Sequence, residues 1–410
     1  MTTIMSDKYF SVPDQRSLTG KTILQIIPEL EAGGAERTAV DIAEAITQYG
    51  GRALVATEGG RLVGELQAKG GEWIAFPAAT KNPFRMLLNI QHLARICRQE
   101  KVDLIHARSR APAWVALGAA RLLKLPFLTT YHGSYSSSSS IKTLYNSVMA
   151  RGDIVIANSG YTAGLIEQMH PFAKGRIRII YRGTDLTRFT PNNVTPERIE
   201  AVRSSWNVAL SDRVVLLAAR LTGWKGQKVL IEAAALLKKQ YDLHNIVFIL
   251  AGDPQGRSSY VRELDQMIAR HKLEGIVRRV GHCSDMPAAF LASAAVTVPS
   301  TEPEAFGRSA VEAQSLGVPV IVSDLGAVPE TVLAPPETPA ALRTGWNVPA
   351  GDAGALAGAL DEVLNLQASA LTDLAHRARH HVETLFSLNG MIEQTIQAYG
   401  DILSTPHKKV

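Results

Sequence analysis

Short apolar segments alternate with helix-like segments along almost the whole chain, and this alternation is the feature that most constrains the fold. Strand-like runs such as 22–28, 104–107 and 153–158 each come before a segment with helical composition. Strands that alternate with helices are typical of a parallel sheet with helices on both faces. In such sheets, ligands bind at the carboxyl edge of the strands. We therefore predict an α/β fold whose functional residues directly follow strands.

The chain is long enough for two domains of this kind. Its 410 residues exceed what one hydrophobic core usually organises and suit two domains of about 200 residues each. The segment 190–211 is charged and contains two prolines, and a strongly apolar run restarts at 214–218, so this segment is predicted to connect the domains. A run of five serines at 136–140 predicts a mobile loop. The predicted divisions are a flexible tail over 1–20, an N-terminal domain over 21–190, a C-terminal domain over 191–390, and a final helix and tail over 391–410.

The composition restricts the classes of function. The net charge of +5 attracts anions, but no run of Lys and Arg is interleaved with aromatic residues as a nucleic-acid platform requires. The two cysteines, Cys97 and Cys283, are too few for a disulfide framework and favour a reducing compartment. Residues 1–18 are polar and lack the apolar region of a signal peptide, and no segment is long and apolar enough to span a bilayer. We therefore expect a cytoplasmic protein that touches membranes only peripherally.

Two glutamates, Glu304 and Glu312, mark the stretch with the most chemistry, residues 298–331. Pro and Gly residues place Glu304 in a loop, whereas 309–316 has helical composition. The backbone N–H groups at 306–308 would then point unpaired out of the first helical turn, where the helix dipole favours an anion such as phosphate. A carboxylate on each side of a phosphate suits a nucleotide sugar, with the ribose on one side and the hexose on the other. For two glutamates at this spacing alone, an ordinary loop and buried helix is the alternative.

Two cations, Arg220 and Lys225, follow the strand-like run 214–218 and precede a helical segment. A loop at the carboxyl end of a strand lets both side chains converge on one anion. Arginine can bind two phosphate oxygens at once, whereas lysine acts as a point charge. The pair is therefore predicted to bind a diphosphate, against the alternative of two solvated surface cations.

The motifs around these residues resemble those of a known family. The run E-A-F-G-R-S-A-V-E at 304–312, the A-x-x-x-G-x-P-V-I run that follows and the G-A-V-P-E at 326–330 resemble the E-x7-E signature of the retaining family 4 glycosyltransferases. This resemblance implies the GT-B fold, in which two Rossmann-like doubly wound α/β domains face a central cleft and a C-terminal helix crosses back to the N-terminal domain. It also implies a hexosyltransferase that retains anomeric configuration while it moves a sugar from a nucleotide-diphosphate sugar to an acceptor hydroxyl. The C-terminal domain would hold the donor and the N-terminal domain the acceptor.

The resemblance assigns a role to each candidate site residue. The residues expected to act on the diphosphate and the reacting sugar are Arg220, Lys225, Glu304 and His132. The remaining donor contacts are expected from Gly33, Gly34, Phe306, Gly307, Arg308, Glu312, Gly281, His282 and Met286. Acceptor contacts are expected from Arg108, Arg110 and Tyr131. The family usually carries Asn-Gly-Val-Asp where this chain has Arg-Gly-Thr-Asp at 182–185, so a contact made by that Asn side chain is not carried over.

Two histidines follow or end predicted strands, and their expected roles differ. His132 closes an L-T-T-Y-H-G run and is expected to lie near the reacting end of the donor sugar, as the resemblance implies. His106 precedes Arg108 and is expected to be structural.

No metal and no cofactor are expected. The chain contains neither an Asp-x-Asp pair nor a His-Glu-x-x-His motif, and metals that neutralise a diphosphate need carboxylate ligands. Arg220, Lys225 and the helix N-terminus can supply the positive field instead. The donor is expected to be GDP- or UDP-linked, and its leaving phosphate is expected to take the acceptor proton in a front-face transfer.

The sequence indicates less about the acceptor than about the donor. Basic residues of the N-terminal half suit an anionic, membrane-held acceptor, although a solvated helix face explains such charges equally well. The H-A-R-S-R-A-P-A-W run at 106–114 and the Y-R-G-T-D-L run at 181–186 resemble bacterial glycosyltransferases of the lipopolysaccharide core, some of them mannosyltransferases. This implies a glycan or lipid-linked acceptor of the cell envelope, mannose from GDP-mannose, and peripheral contact with the anionic cytoplasmic face of the inner membrane.

Two other classes of protein remain open from the sequence. A non-transferring enzyme of the same fold, such as a nucleotide-sugar epimerase, would keep the diphosphate site but release a free isomer. A two-lobed sugar-binding protein would share the alternating architecture but would be exported, which the N-terminal residues do not predict. The base and sugar of the donor, the linkage formed and the oligomeric state are left open.

Overall fold

The computed structural model describes residues 17–31, 33–133, 139–240 and 243–404. The predicted tails lie partly outside these residues, as does most of the five-serine run. The chain divides into two compact units. The first contains the residues up to Asn158, Thr162–Ile180 and the residues from Asn389 onward, and the second contains Ser159–Tyr161 and Tyr181–Leu388.

The first unit is built on a seven-stranded sheet. Its strands are β1 Thr22–Ile26, β2 Arg52–Thr57, β3 Glu72–Ala75, β4 Leu104–Ala107, β5 Phe127–Tyr131, β6 Ile154–Ala157 and β7 Ile177–Ile179. The helices in this part of the chain are α1 Gly34–Gln48, α2 Val63–Ala68, α3 Pro83–Gln99, α4 Arg110–Leu123, α5 Ser140–Asn146 and α6 Gly160–Met169. The strand order is β3-β2-β1-β4-β5-β6-β7, and every neighbouring pair is parallel.

The second unit is built on a six-stranded parallel sheet with the order β10-β9-β8-β11-β12-β13. Its strands are β8 Arg213–Ala218, β9 Ile246–Ala251, β10 Val277–Gly281, β11 Ala295–Val298, β12 Val320–Ser323 and β13 Trp346–Val348. The remaining helices of the chain are α7 Pro196–Ser205, α8 Gln227–Gln240, α9 Ser258–Arg270, α10 Met286–Leu291, α11 Arg308–Ser315, α12 Val328–Thr331, α13 Ala353–Leu364, α14 Ala368–Leu385 and α15 Leu388–Ser404. None of the described helices is both long enough and apolar enough to cross a membrane.

The burial of the elements follows from their sequences. Strands β4 and β9 are buried at every position, because helices cover both faces of a parallel sheet. Helix α9, in contrast, buries one stripe, formed by Tyr260, Leu264 and Ile268, at the four-residue spacing that keeps side chains on one face. The predicted fold class of two Rossmann-like α/β domains is confirmed.

Each sheet has one point at which the strand order changes direction. This switch lies between β1 and β4 in the first sheet and between β8 and β11 in the second. Ligands of doubly wound sheets bind outside the carboxyl ends of the strands at such a point. Functional residues are therefore expected in the loops that follow these four strands.

Helix α15 belongs to the first unit, as the predicted crossing-back helix requires. Tyr399 on this helix is fully buried, and its hydroxyl lies 2.7 Å from Nδ1 of His106 on β4. The other ring nitrogen of His106 lies 2.7 Å from the hydroxyl of Thr130. Burial lowers the pKa of His106 well below its ordinary value, so the neutral ring links the sheet to the helix. His106 is structural, as expected.

The structure differs from the predicted organisation between the units. The segment 190–211, predicted as a connection, contains α7 and lies inside the second unit, which already begins at Tyr181. Val202 and Trp206 from this segment pack into the apolar core of that unit. Val194 and Val208 belong to the same core, so four apolar side chains attach a charged, proline-containing segment to it, which composition alone does not indicate.

Replacing Tyr399 by Phe is expected to destabilise the first unit. The substitution keeps the ring but leaves a buried nitrogen of His106 without its hydroxyl partner, and such unsatisfied groups cost about 1–3 kcal/mol. Tyr161→Phe is the control, because none of the described residues bonds the Tyr161 hydroxyl. Urea denaturation followed by circular dichroism measures both variants, and equal midpoints would contradict the role given to this link.

Candidate functional site

A pocket of about 560 Å³ lies at the carboxyl edge of the second unit's sheet. The loops that follow β8, β9 and β10 contribute to its walls, together with the start of α11. Six residues predicted to bind a donor line it: Arg220, Lys225, His282, Met286, Arg308 and Glu312. Two more, Gly281 and Gly307, are direct chain neighbours of lining residues. The structure thus brings together residues from three separate motifs.

Arg220 is exposed at this pocket, and its guanidinium has no ion-pair or hydrogen-bond partner among the described residues. The loop that carries it is held by Gln227, which is fully buried and whose side-chain amide donates to the Arg220 carbonyl at 2.9 Å. The side-chain oxygen of Gln227 accepts in turn from the Tyr260 hydroxyl at 3.0 Å. The backbone of Arg220 is therefore ordered while its charge is available to an anion.

Lys225 lies in a turn that depends on glycine. Gly226 follows it with φ +77°, and a Cβ there would lie 1.8 Å from the carbonyl oxygen of Pro299. This close approach places the turn against the loop that follows β11. As a result, the Lys225 ammonium lies 2.8 Å from a carboxylate oxygen of Glu304 and 4.3 Å from the centroid of the Trp224 ring.

Glu304 has partners on both carboxylate oxygens. One oxygen pairs with Lys225, and the other accepts a hydrogen bond from the Ser300 hydroxyl. Both side chains of the ion pair are largely buried, so salt screens the pair less than it screens a surface pair. Such a pair fixes both charges in position but adds little net stability, because both groups lose their water. Two side chains predicted to bind different parts of the donor thus contact each other.

The first turn of α11 presents backbone donors to the pocket. The helix begins at Arg308 after Gly307, which has φ +87° and no side chain to cap the helix. The N–H groups at 306–308 have no acceptor in the described part of the chain. The Phe306 ring is buried and packs edge-on against Phe386 at 5.6 Å between centroids, so only its backbone can face a ligand. These donors and the positive end of the helix dipole make an anion site.

Glu312 lines the pocket from the second turn of α11. Its carboxylate pairs with Arg308 at 2.8 Å. The Ser309 hydroxyl donates to the carbonyl of Ala218 at 3.2 Å, which ties the start of the helix to the end of β8. Arg308 thus holds one of the two predicted glutamates, and Lys225 holds the other.

The loop after β10 forms a wall with His282, Cys283 and Met286, which carries no carboxylate, Lys or Arg side chain. Asp285 in this loop accepts a backbone hydrogen bond from the first turn of α10 at 3.2 Å and binds Arg198 at 2.7 and 2.8 Å. Burial raises the pKa of the Cys283 thiol, which keeps it protonated. A wall of this chemistry suits a flat, uncharged ring better than an anion.

Positive charge at the pocket is distributed unevenly. The cationic side chains that line it are Arg220, Lys225 and Arg308, and the last two each pair with a glutamate. Arg220 and the start of α11 therefore supply the charge that is not already neutralised. Within residues 17–31, 33–133, 139–240 and 243–404, no three His, Cys, Asp or Glu side chains come together as metal ligands would.

Three residues that hold the site are not marked by any sequence motif. Trp224 stacks on Lys225, Ser300 bonds Glu304, and Gln227 orders the Arg220 loop. Trp224 and Ser300 lie near predicted residues in the sequence, but only packing shows that their side chains meet. The pocket also includes lining residues that were not among the predicted site residues, namely Asp253, Gln255, Cys283 and Ser309.

The predicted residues of the first unit lie at the carboxyl edge of its own sheet. Gly33 precedes α1 as its N-cap, and Gly34 is the first residue of that helix. His132 follows β5, and Tyr131 is the buried last residue of that strand. The roles of these residues at a donor or acceptor stay predictions.

Arg108 and Arg110, predicted to bind the acceptor, have protein partners. Arg108 is 3% exposed, and its Nε donates to the side-chain oxygen of Gln25 at 2.6 Å. A terminal nitrogen of Arg110 donates to the side-chain oxygen of Asn146 at 2.9 Å. The burial of Arg108 favours a structural role, and acceptor binding by either residue stays a prediction.

Two family models match the chain. The model described as Glycosyltransferase Family 4 matches residues 32–188, and the model described as Glycosyl transferases group 1 matches residues 198–381. The first match contains most of the first unit's sheet, and the second contains the sheet of the second unit together with the pocket.

Known proteins resemble the chain over much of its length. The glycosyltransferase from Rickettsia africae ESF-5 is 33% identical with a TM-score of 0.85, and the alignment covers 94% of this chain and 99% of that one. HepE of Anabaena, solved in complex with UDP and glucose, is 26% identical with a TM-score of 0.78, over 93% of this chain and 100% of HepE. The D-inositol 3-phosphate glycosyltransferase of Corynebacterium urealyticum is 25% identical over 75% of this chain and 73% of its own length.

Gly226→Ala is expected to lower stability far more than Gly223→Ala, although both glycines lie in the same loop. Gly226 combines a positive φ with the close approach to Pro299, whereas nothing lies within 4 Å of a Cβ built on Gly223. Backbone strain of this kind costs about 1–3 kcal/mol, and the displacement of Pro299 adds to it, whereas an exposed substitution stays within about 0.5 kcal/mol. Urea denaturation compares the two, and similar midpoints would show that this contact does not hold the Lys225 turn.

Proposed function

This chain belongs to the family 4 glycosyltransferases, and from this we propose that it is a retaining hexosyltransferase that moves a sugar from a nucleotide-diphosphate sugar to an acceptor hydroxyl. The family resemblance predicted from the sequence is confirmed. The observation that carries the proposal is the pocket of the second unit. There Arg220, Lys225 and the backbone donors of α11 face one space, which Glu312 borders.

A diphosphate would bind in this pocket through charge-assisted hydrogen bonds. Arg220 is available to it at once, because no described residue pairs its charge. Lys225 would exchange Glu304 for a phosphate oxygen, and Glu304 would then be released toward the hydroxyls of the transferred sugar. Donor binding and the release of Glu304 are the same event in this scheme. Glu312, held by Arg308, would accept the ribose hydroxyls.

Positive charge beside the departing phosphate would accelerate the transfer. Negative charge develops on that phosphate as the glycosyl bond breaks, so fixed cations stabilise the transition state more than the ground state. Arg220 and Lys225 supply this charge, and the scheme needs no divalent ion. His132, with Gly33 and Gly34, is proposed to contact the donor near the reacting carbon.

Retention is proposed to occur by front-face attack. The acceptor hydroxyl attacks the anomeric carbon on the side of the leaving phosphate, and a phosphate oxygen takes the hydroxyl proton. The contact of Glu312 supports this choice, because its pairing with Arg308 suits a hydroxyl clamp better than a nucleophile, and the scheme engages the released Glu304 with sugar hydroxyls. A glycoside hydrolase would instead use such a pair as acid and base.

The proposed donor carries uridine or guanosine. The complex of HepE with UDP and glucose favours a UDP-sugar for this chain. GDP-mannose, implied by the resemblance to lipopolysaccharide-core enzymes, remains the second candidate. The wall of His282, Cys283 and Met286 is proposed to contact the base.

The proposed acceptor is an anionic molecule with free hydroxyls. Named relatives act on an inositol phosphate, and the sequence runs at 106–114 and 181–186 favour a cell-envelope glycan such as the lipopolysaccharide core. Both candidates carry phosphate or other negative charge, which fits the net charge of +5. Peripheral contact with the cytoplasmic face of the inner membrane belongs to the same proposal, because a lipid-linked acceptor would be held there.

Thermal unfolding in the presence of UDP, GDP, ADP and their sugars is expected to single out one nucleotide, with UDP the first candidate. A ligand at about 100 times its Kd stabilises the folded chain by about 2.7 kcal/mol. The same shift is expected with a chelator present, because the scheme needs no metal. If no nucleotide or nucleotide sugar raised the melting temperature at saturating concentration, the proposal would be wrong.

Arg220→Ala and Lys225→Ala are each expected to lower turnover by about 10²- to 10³-fold, the usual effect of removing one preorganised group that stabilises developing charge. Arg262→Ala is the matched control, because Arg262 is an exposed arginine of α9 outside the pocket lining. Nucleotide release, with and without acceptor, measures turnover, and circular dichroism checks folding. Wild-type turnover in either variant would refute the assignment. A free sugar-nucleotide isomer formed without acceptor would instead identify an epimerase.

A further inference from the structure

Helix α3 exposes large apolar side chains to solvent in its first two turns. Phe84 is 82% exposed, Leu87 66% and Leu88 69%. Their i, i+3, i+4 spacing places them side by side on the helix surface. Single exposed apolar residues are common, but a contiguous cluster of this size marks an interaction site.

The rest of α3 explains why this cluster cannot turn inward. The opposite face buries Leu93, Ala94 and Cys97 in the core of the first unit. The helix start is set by Asn82, whose side chain accepts hydrogen bonds from the backbone N–H groups of the first turn. Both constraints hold the rotation of the helix about its axis, so the apolar cluster is a stable feature of the surface.

Exposed Arg and Lys side chains lie on the same side of α3 as the apolar cluster. Arg95 lies seven residues after Leu88, and Arg98 three residues after Arg95, so both lie on the same side of the helix as the cluster, and both are exposed. Lys81 and Arg85 flank the cluster at its other end and are also exposed. The sequence Pro83–Gln99 contains no Asp or Glu. We call this surface, from Lys81 to Arg98, the α3 face.

The cations of the α3 face are not paired with carboxylates of the described residues. Several other cations of the first unit are paired, as Arg52 is with Glu72 and Glu100, and Lys69 with Glu44. In the part of the chain that the structure describes, Lys81, Arg85, Arg95 and Arg98 form no ion pair. The positive charge of the α3 face is therefore not neutralised by the protein.

We propose that the α3 face docks on the surface of a lipid bilayer that contains anionic phospholipids. Phe84, Leu87 and Leu88 insert among the acyl chains near the headgroups, and the cations contact lipid phosphates. Apolar insertion together with Lys and Arg on the same helix is how interfacial helices bind anionic membranes. The long side chains of Arg95 and Arg98 reach the headgroups while their stems cover apolar surface.

A bilayer fits the α3 face better than a second copy of the chain does. The three apolar side chains by themselves fall short of the roughly 800 Å² per partner that a stable protein interface buries. Two copies would also bring four unpaired cations against four more, and like charges that meet across an interface cost binding energy. An anionic bilayer does not need a large fixed contact area, because it is fluid. It also carries the charge opposite to that of the four cations.

Helix α5 of the same unit also exposes apolar side chains. Ile141 is 81% exposed and Leu144 is 59% exposed. Helix α5 follows β5, and α3 follows β3, so the parallel topology places the starts of both helices at the carboxyl edge of the first sheet.

Vesicle flotation tests the proposal without any enzyme assay. The purified full chain is mixed at low ionic strength with vesicles of phosphatidylcholine alone or of phosphatidylcholine with phosphatidylglycerol. Wild type is expected to float with the anionic vesicles and to be released by salt. The triple variant Phe84→Ser, Leu87→Ser, Leu88→Ser is expected to lose at least about tenfold in partitioning, because apolar insertion supplies much of the binding. Arg95→Gln with Arg98→Gln is expected to lose about tenfold as well.

The matched control is Leu210→Ser with Leu342→Ser. Both leucines are exposed, at 81% and 58%, and lie in the second unit, so their replacement is expected to leave flotation at the wild-type level. Wild type that fails to bind anionic vesicles, or a triple variant that binds as wild type does, would overturn the proposal. Self-association abolished by the triple variant, without flotation of wild type, would assign the α3 face to a second copy instead.

The test is independent of the proposed transfer reaction. None of the substituted residues lines the pocket of the second unit, so the nucleotide-dependent thermal shift of the triple variant is expected to equal that of wild type. A variant that lost its thermal shift together with flotation would indicate misfolding and would be replaced by Leu87→Ser alone, which removes a single exposed side chain. Flotation of that single variant equal to wild type, together with failure of the arginine pair to weaken binding, would refute the proposal.

Discussion

The parallel pairing of β8 with β11 is the constraint on which the candidate site depends. Ala295 and Val296 lie in register beside Val215 and Leu216, so both strands end at the same edge of the sheet. The loops that follow them carry Lys225 and Glu304, and these loops are neighbours although two strands and their helices lie between them in the chain. The remaining distance is closed by the contact of the Gly226 backbone with Pro299. Any side chain at position 226 would push the two loops apart.

Two of the three cations that line the pocket are paired with glutamates before any substrate is considered. A buried cation without a partner is costly, because it loses water and gains no opposing charge. Lys225, which is largely buried, avoids this cost by pairing with Glu304, whereas Arg220 and Arg308 remain exposed, Arg308 beside Glu312. An arriving diphosphate would meet Arg220 first and compete with a carboxylate for Lys225, so the order of contacts follows from burial.

Burial also separates structural from surface roles in the first unit. His106 and Arg108 lie next to each other after the same run of sequence, yet both are sealed inside the unit and bonded to Tyr399, Thr130 and Gln25. His132, at the end of the neighbouring strand, is only partly buried. The α3 face shows the reverse case, since its apolar side chains lie outside although their type favours the core. In both cases the exposed fraction, rather than the residue type, indicates which groups are available to a ligand.

Local sequence determined the α/β class, most strand positions and the residues that carry the chemistry. These features can be predicted because hydrophobic periodicity and turn-forming residues depend only on neighbours within a few positions of the chain. Arg220, Lys225 and Glu304 could be found in this way, since each follows a strand or a loop breaker, and Glu312 could be found by its place in the E-x7-E run. The tertiary structure alone decided which of them pair, that Trp224 and Ser300 support them, and that 190–211 joins a core instead of linking domains. It also decided which stripe of α3 faces solvent, because periodicity shows that a helix has two faces but not what packs against each. These features depend on register and close approach between distant segments, and no spacing along the chain encodes them.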